Sequence, residues 1–155
     1  MSWRRRLEPV IRPLYRYRAR RTRGMTLGVR GMVINEAGEV LLIHHTYMAG
    51  WYMPGGGVEA GESCELALER ELLEEAGVIL KGRPTLMSVH QNRGFPGDHV
   101  LIYRVDTWEQ GVATQKGEIE QVGWFHPNAL PEGVTPATRR RIEEALAGLE
   151  TQLHW

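Results

Sequence analysis

The sequence predicts a one-domain α/β sandwich, and three observations predict it. Runs rich in Val, Ile, Leu and Met stand both before and after a single central helical stretch, which is the pattern of a mixed α and β fold. At 155 residues the chain is long enough to close one hydrophobic core around a cleft. Its hydrophobic share of 42% and charged share of 25% are those of an ordinary globular protein.

The elements follow in order after Gly24. Residues 25–34 and 40–45 have strand composition, and Asn35-Glu36-Ala37-Gly38-Glu39 between them reads as a turn, so the pair is expected to form a hairpin. A glycine-rich stretch from Gly50 to Gly61 leads into a helix expected over residues 63–76. Ser63 is placed to cap its start, and Gly77 fits the left-handed position that ends many helices. Two more strands are expected near residues 85–91 and 99–106, then a short one at 122–125. Thr135-Pro136 opens a last helix reaching about residue 149, because Thr is a favoured N-cap and Pro is preorganised at the first helical position.

The formal net charge of zero hides an asymmetry. Residues 1–24 hold nine of the 19 basic residues, all arginine, and one of the 19 acidic ones, Glu8. That arm is therefore +8 and the rest of the chain −8. An acidic body suits a protein that gathers carboxylates around a divalent cation. The arm reads as a short amphipathic helix interrupted near Pro13, or as a loose segment. It could meet phosphates such as those of RNA, an anionic membrane surface, or the body's own acidic face, and it also has the composition of an organelle presequence. The longest uninterrupted aliphatic run is residues 40–43, so no segment is expected to span a membrane. Cys64 stands alone, which excludes an internal disulfide and a cysteine-type zinc site, and points to a reducing, cytoplasmic location.

Chemistry concentrates in the central helix and the loop before it. Glu71, Glu74 and Glu75 stand at i, i+3 and i+4, so their carboxylates share one helix face within about 6 Å of one another. A Glu-rich helix is ordinarily a solvated face. Here Leu68 and Leu72 flank the acids on one side and Leu66 and Leu73 on the other, so the face is expected to be wedged between buried surfaces, where repulsion is worse. Something positive should compensate, and clustered hard oxygens suit Mg²⁺ or Mn²⁺. Gly55-Gly56-Gly57 lets the backbone approach a ligand closely, and it is not a Walker-type phosphate loop, because no Gly-Lys-Ser/Thr follows.

The joint spacing resembles the Nudix box: Gly56, Glu62, Arg70, Glu71, Leu72, Glu74, Glu75, Gly77 and Val78 fill its fixed positions without departure. With each fixed type at about 5–7% of residues, a chance match is on the order of one in a hundred million per starting point. Trp51 and Pro54 before the glycines, and Glu118, Trp124 and Leu130-Pro131 after the box, extend the resemblance, so residues 25–155 are expected to form the domain and residues 1–24 to lie outside it. The resemblance implies an α/β/α sandwich with a mixed sheet, the box as loop–helix–loop, and Mg²⁺- or Mn²⁺-assisted attack of water on a diphosphate. It implies metal ligands at Glu74 and Glu75, with Glu71 as ligand or base, the carbonyl of Gly55, and a carboxylate from outside the box at Glu118, or failing that Glu120. Arg70 and Glu62 are implied to be a supporting pair.

The box implies the reaction and leaves the substrate open. The expected class is a nucleoside diphosphate linked to another group, such as ADP-ribose or another nucleotide-sugar, or a (d)NTP. Alternatives from the same family are a nucleotide-binding regulator, an RNA 5′-end pyrophosphohydrolase and a prenyl-diphosphate isomerase. Arg93 could pair with phosphate and Phe95 could stack on a base, although Phe95-Pro96-Gly97-Asp98 also reads as a plain turn. Trp51, Tyr47 and Tyr52 are further stacking candidates, with core packing as the other reading, and Gly56 and Gly57 could contact substrate. Members of this family often pair, so a homodimer is an expectation as well.

Overall fold

The computed structural model describes residues 24–115 and 117–155, so the expected helix within the arginine-rich arm lies outside the described residues. Among the described residues there are eight strands and two helices. They are β1 (Thr26–Val33), β2 (Val40–His45), β3 (Trp51–Tyr52), α1 (Cys64–Ala76), β4 (Val78–Leu80), β5 (Thr85–Gln91), β6 (Asp98–Val105), β7 (Trp108–Gln110), β8 (Ile119–Phe125) and α2 (Pro136–Ala147). One mixed sheet runs β1-β6-β5, with β1 parallel and β5 antiparallel to β6. A second sheet runs β3-β2-β8, and β4 pairs with β7. No helix among the described residues is long and apolar enough to cross a membrane.

The expected hairpin of β1 and β2 does not form. The turn itself is present: the Asn35 N–H donates to Glu39 O at 3.1 Å, and the Asn35 side-chain oxygen accepts from the N–H groups of Ala37 and Glu39. Only Ile34 and Val40 bridge, however, after which the strands part into different sheets. The reason is that the free edge of β1 is already taken. Val29 N–H donates to Gly56 O and Gly31 N–H to Pro54 O, both at 2.8 Å, and Val58 N–H donates to Leu27 O at 2.9 Å. The glycine-rich loop thus lies along β1 as an added antiparallel strand, with an isolated bridge between Gly28 and Gly57.

Both strands bury both faces, which explains their near-continuous apolar runs. Val29, Val33, Leu41 and Ile43 pack with Ala67, Leu68 and Leu72 of α1, whereas Met32, Val40 and Leu42 pack with Ile142 of α2. The sheets therefore sit between two helix layers. At Gly31 a Cβ would collide with the side chains of Leu72 and Leu68, so glycine there is what lets α1 seat closely on β1. Ser63 caps α1 by accepting from Leu66 N–H at 3.2 Å, and Gly77 ends it at φ 68°. One expectation about this helix is corrected: Leu66 is 56% exposed and Leu73 is half-buried, so fully buried leucines flank the acidic face only on the side of Leu68 and Leu72. The helix rests on the sheet by that side alone. Thr135 caps α2, accepting from Thr138 N–H at 3.3 Å.

Candidate active site

The three glutamates of α1 share a face and differ in depth. Side-chain exposure is 33% at Glu74, 14% at Glu71 and 7% at Glu75, because the helix rolls its face down toward the loop that lies along β1. Together with Glu118 and Gly55 they line an open recess of about 370 Å³.

Two arginines compensate the negative charge. Arg70 grips Glu62 with a fork, Nε to Oε1 at 2.9 Å and Nη2 to Oε2 at 3.1 Å, and the same guanidinium reaches Glu71 Oε1 at 2.7 Å, Glu74 Oε2 at 3.6 Å and the carbonyl of Gly57 at 3.1 Å. Its bond to Arg70 holds the Glu62 carboxyl below the usual range, and Glu62 in turn raises the Arg70 guanidinium. Arg30 enters from β1 and donates through Nη1 to the carbonyls of Gly55 and of Met53.

Gly55 is thereby held from both sides. Its carbonyl accepts from Arg30, and its N–H donates to Glu75 Oε2 at 2.7 Å. Burial nevertheless pushes the Glu75 carboxyl up to about 7, against the opposing pull of Arg30 and the Gly55 amide, with Glu71 and Glu118 adding to the rise. His45 Nε2 lies 4.0 Å from Glu75 Oε1, and neither His45 ring nitrogen has a hydrogen-bond partner among the described residues. Burial, then Arg30 and His44, drive that imidazole down to about 4. Tyr47 is raised to about 12 by burial and by Glu118 and Glu75.

Hard oxygen donors of this kind fit Mg²⁺ or Mn²⁺ better than a soft metal. Among the described residues no three such side chains are drawn into a ready-made cage. Arg70 and Arg30 hold Glu71, Glu74 and the Gly55 carbonyl instead, so a cation would compete with two guanidinium groups for acceptors that already converge.

A second hollow of about 480 Å³ adjoins the first and shares Arg30, Met48 and Gly56 with it. Leu27, Tyr52, Phe95, Val100 and Trp155 give it apolar and aromatic walls, and Thr26, Asn92 and Asp98 give it polar groups. Asp98 accepts from Thr26 Oγ1 at 2.7 Å and from Asn92 Nδ2 at 3.0 Å. The segment carrying Phe95 is indeed a turn, closed by Phe95 N–H to Asn92 O at 3.1 Å and Asp98 N–H to Phe95 O at 3.0 Å, and the turn presents the ring to the hollow.

The residues singled out in the sequence thus divide. The recess gathers Gly55, Gly56, Arg70, Glu71, Glu74, Glu75 and Glu118, with Glu62 behind Arg70. Gly56, Gly57, Phe95 and Tyr52 line the adjoining hollow, and Tyr47 lines the recess. Trp51 lines neither: it packs edge-on against Phe125 at 4.9 Å and His44 at 5.6 Å. Arg93 is exposed and also lines neither. Glu120 pairs with His44 at 3.2 Å, outside the recess. Among the residues at the site that the sequence did not single out are Arg30, His45 and Trp155. An arginine inside the apolar run of β1 was the available signal for the first, whereas nothing local marks the other two.

Comparison with known proteins agrees with this geometry. The family model described as NUDIX domain matches residues 24–146. A putative 8-oxo-dGTP diphosphatase of Bacillus subtilis is 32% identical over 127 residues, covering 81% of this chain and 83% of that protein. An NAD-capped RNA hydrolase of Erwinia tasmaniensis is 31% identical over 121 residues, 75% of this chain and 45% of that protein. Among solved structures, the MutT NUDIX hydrolase from Burkholderia pseudomallei superposes with a TM-score of 0.67 at 28% identity, over 76% of this chain and 95% of that one.

Proposed function

The chain belongs to the Nudix family and is a pyrophosphohydrolase of that family, and from this we propose that it cleaves a phosphoanhydride bond of a nucleoside triphosphate or other nucleoside diphosphate derivative with the help of Mg²⁺ or Mn²⁺. The observation that carries the reading is the contiguity of the two hollows: an acidic recess opens into an aromatic cleft, and Arg30, Met48 and Gly56 belong to both. A substrate with a phosphate chain at one end and a base at the other matches that shape.

Glu74, Glu75, Glu71, Glu118 and the Gly55 carbonyl would hold the cation. Once bound, it supplies neutralisation of the diphosphate charge and a water of lowered pKa. The chain's own residues do the rest. Arg70 orients Glu71 and Glu74, a positioning task that fixes carboxylate geometry. The Arg30 guanidinium lies where a phosphate crossing from cleft to recess would pass. Water adds to phosphorus, the bridging P–O bond breaks, and a carboxylate takes the proton, the candidates being Glu71 and Glu118, both of which line the recess. In the cleft, the Asp98 carboxylate offers acceptor capacity to base N–H groups, and Phe95 a stacking face.

Between the substrate classes, support for a deoxynucleoside triphosphate comes from the Bacillus subtilis relative, whose length this chain mostly spans. A capped RNA end is the second reading, supported by the Erwinia tasmaniensis relative and by the basic segment 1–24, whose phosphate contacts would be strongly salt-dependent. A homodimer and a cytoplasmic location complete the proposal. The test is release of mononucleotide, pyrophosphate or phosphate from a panel of (d)NTPs, oxidised (d)NTPs, nucleotide-sugars and capped RNA, with and without Mg²⁺. Cation-dependent cleavage of a nucleotide is the expected result. No cleavage of any member by folded protein overturns the proposal, and cleavage of capped RNA alone selects the second reading.

A further inference from the structure

We propose that Trp155 is a specificity-determining residue of the aromatic cleft, the ring on which the substrate's nucleobase stacks, held in place by a strap of residues 152–155. The inference rests on the nucleotide reading above and deepens it.

The strap adds a short parallel strand to the open edge of β5. Gln91 N–H donates to Leu153 O at 3.0 Å, Trp155 N–H donates to Gln91 O at 2.9 Å, and Gln91 bridges His154. Beneath it lies a buried polar network that touches neither hollow. Arg141 of α2, only 2% exposed, donates to His154 O at 3.0 Å and to Glu144 Oε1 at 2.6 Å. Glu144 Oε1 also accepts from the N–H of Gln152 at 3.1 Å. His90, fully buried, has Nδ1 at 2.7 Å from Gln152 O and 2.6 Å from Arg141 Nη1, while Nε2 meets Ser88 Oγ at 2.7 Å.

Burying an arginine, a glutamate and a histidine is costly, and such groups fix geometry more than they add stability. Here three of their hydrogen bonds go to the backbone of residues 152–154, so what they fix is the path of the strap. That path ends with the Trp155 ring, tilted against His90 at 6.3 Å between centroids and packed on the core cluster of Met32, Met53 and Ile142. Trp155 lines the cleft and not the acidic recess. The phosphate-facing residues lie at the shared boundary, so a group lining the cleft alone meets what is attached beyond the phosphates, which is the nucleoside. An indole held rigid before binding loses little freedom when a base stacks on it.

The experiment compares wild type, Trp155→Phe and Trp155→Ala on the cleaved nucleotide, with inorganic pyrophosphate as a base-free inhibitor. Trp155→Ala should raise KM by about tenfold, the scale of one base–aromatic stack, with kcat changed less than about twofold. Inhibition by pyrophosphate should be unaltered, and Trp155→Phe should recover most of the loss. Should Trp155→Ala not fold, Trp155→Leu replaces it, keeping the apolar contact and removing the π face. An unchanged KM overturns the inference, as does equal weakening of pyrophosphate inhibition, which marks a structural role. If the wild type cleaves no nucleotide, the functional reading fails and calorimetric binding of nucleoside 5′-monophosphates decides this one. Binding lost in Trp155→Ala and kept in Trp155→Phe sustains it, and any pattern in which wild type and Trp155→Ala match overturns it.

Discussion

Glu75 Oε2 accepts a 2.7 Å hydrogen bond from the backbone N–H of Gly55, tying the most deeply buried acid of α1 to the loop that lies along β1. Glutamine at position 75 keeps an oxygen acceptor for that amide and loses the charge. Glu75→Gln, and likewise Glu74→Gln, should therefore lower turnover by roughly a hundredfold or more, while Glu74→Gln leaves thermal unfolding nearly unchanged and Glu75→Gln does not lower the unfolding temperature at neutral pH. Steady-state rates beside a melting curve check this, and near-normal rates in either variant would remove that residue from the set of cation ligands.

Neighbouring glycines should fail in different ways. A Cβ at Gly56 would fall on the Glu71 carboxylate, the end of a side chain that can swing aside. A Cβ at Gly55, where φ is 139°, would strike the main chain of Val29 and Arg30. Gly55→Ala should cost about 1–3 kcal/mol or more of stability. Gly56→Ala should fold close to normally and lose most of its activity. Urea unfolding and rates measured on the same pair of variants separate the two effects, and equal stability losses would contradict this geometry.

Arg70→Lys preserves a positive charge and abolishes the fork on Glu62 and the reach to Glu71. We expect a fall of about 10–100-fold in activity, accompanied by a rise in the Mg²⁺ concentration giving half-maximal rate. A variant as active as the wild type at limiting Mg²⁺ would show that the guanidinium geometry is not needed.

His45 and Glu75 set opposing pH dependences in the chelated protein. Burial holds the folded Glu75 carboxyl at about 7 against an ordinary 4.5, so the folded form binds the extra proton and stability falls as pH rises from 4.5 to 7. His45 titrates at about 4 against 6.5, so the unfolded form binds the extra proton and stability falls as pH drops from 6.5 to 4. Each effect is about 3 kcal/mol at full extent, and in the wild type they largely cancel where they overlap. In chelator, Glu75→Gln should become more stable as pH rises from 4 to 6.5, and His45→Gln should become less stable from 4.5 to 7. Denaturant titrations across that range give the slopes, and slopes of one sign in both variants would refute the pairing.

Much of this was legible in the chain, and the rest was hidden for physical reasons. Helix α1 announced itself through Ser63, Gly77 and the i, i+3, i+4 acids, because capping and helical spacing are local. The recess followed, since one helix and its preceding loop supply most of it. The partners of β1 and β2 were not legible: Asn35 to Glu39 forms the turn of a hairpin, and only the competing claim of Gly56 and Pro54 on β1 sends β2 elsewhere. Strands β3, β4 and β7, two or three residues each, are too short for periodicity to register. Helical spacing sets Leu66 and Leu73 beside the acids but does not show what covers them, and α1 rests on the sheet by the side of Leu68 and Leu72. Arg30 leaves a local mark as an arginine inside an apolar run, whereas His45 and Trp155 reach the site through the long-range pairing of β2 and the strap, which no local pattern encodes.

The lamination of residues 54–58 onto β1 bears on the timescale of the reaction. A run of glycines is usually taken for a hinge, yet here the carbonyls of Pro54 and Gly56 accept from the Gly31 and Val29 amides of a core strand, and Val58 N–H donates back to Leu27 O, so exchange of those three hydrogens with heavy water demands disruption of the sheet itself. The floor beneath the phosphates is accordingly stiff before any ligand arrives. Such adaptation as the enzyme needs must come from the side chains standing around that floor.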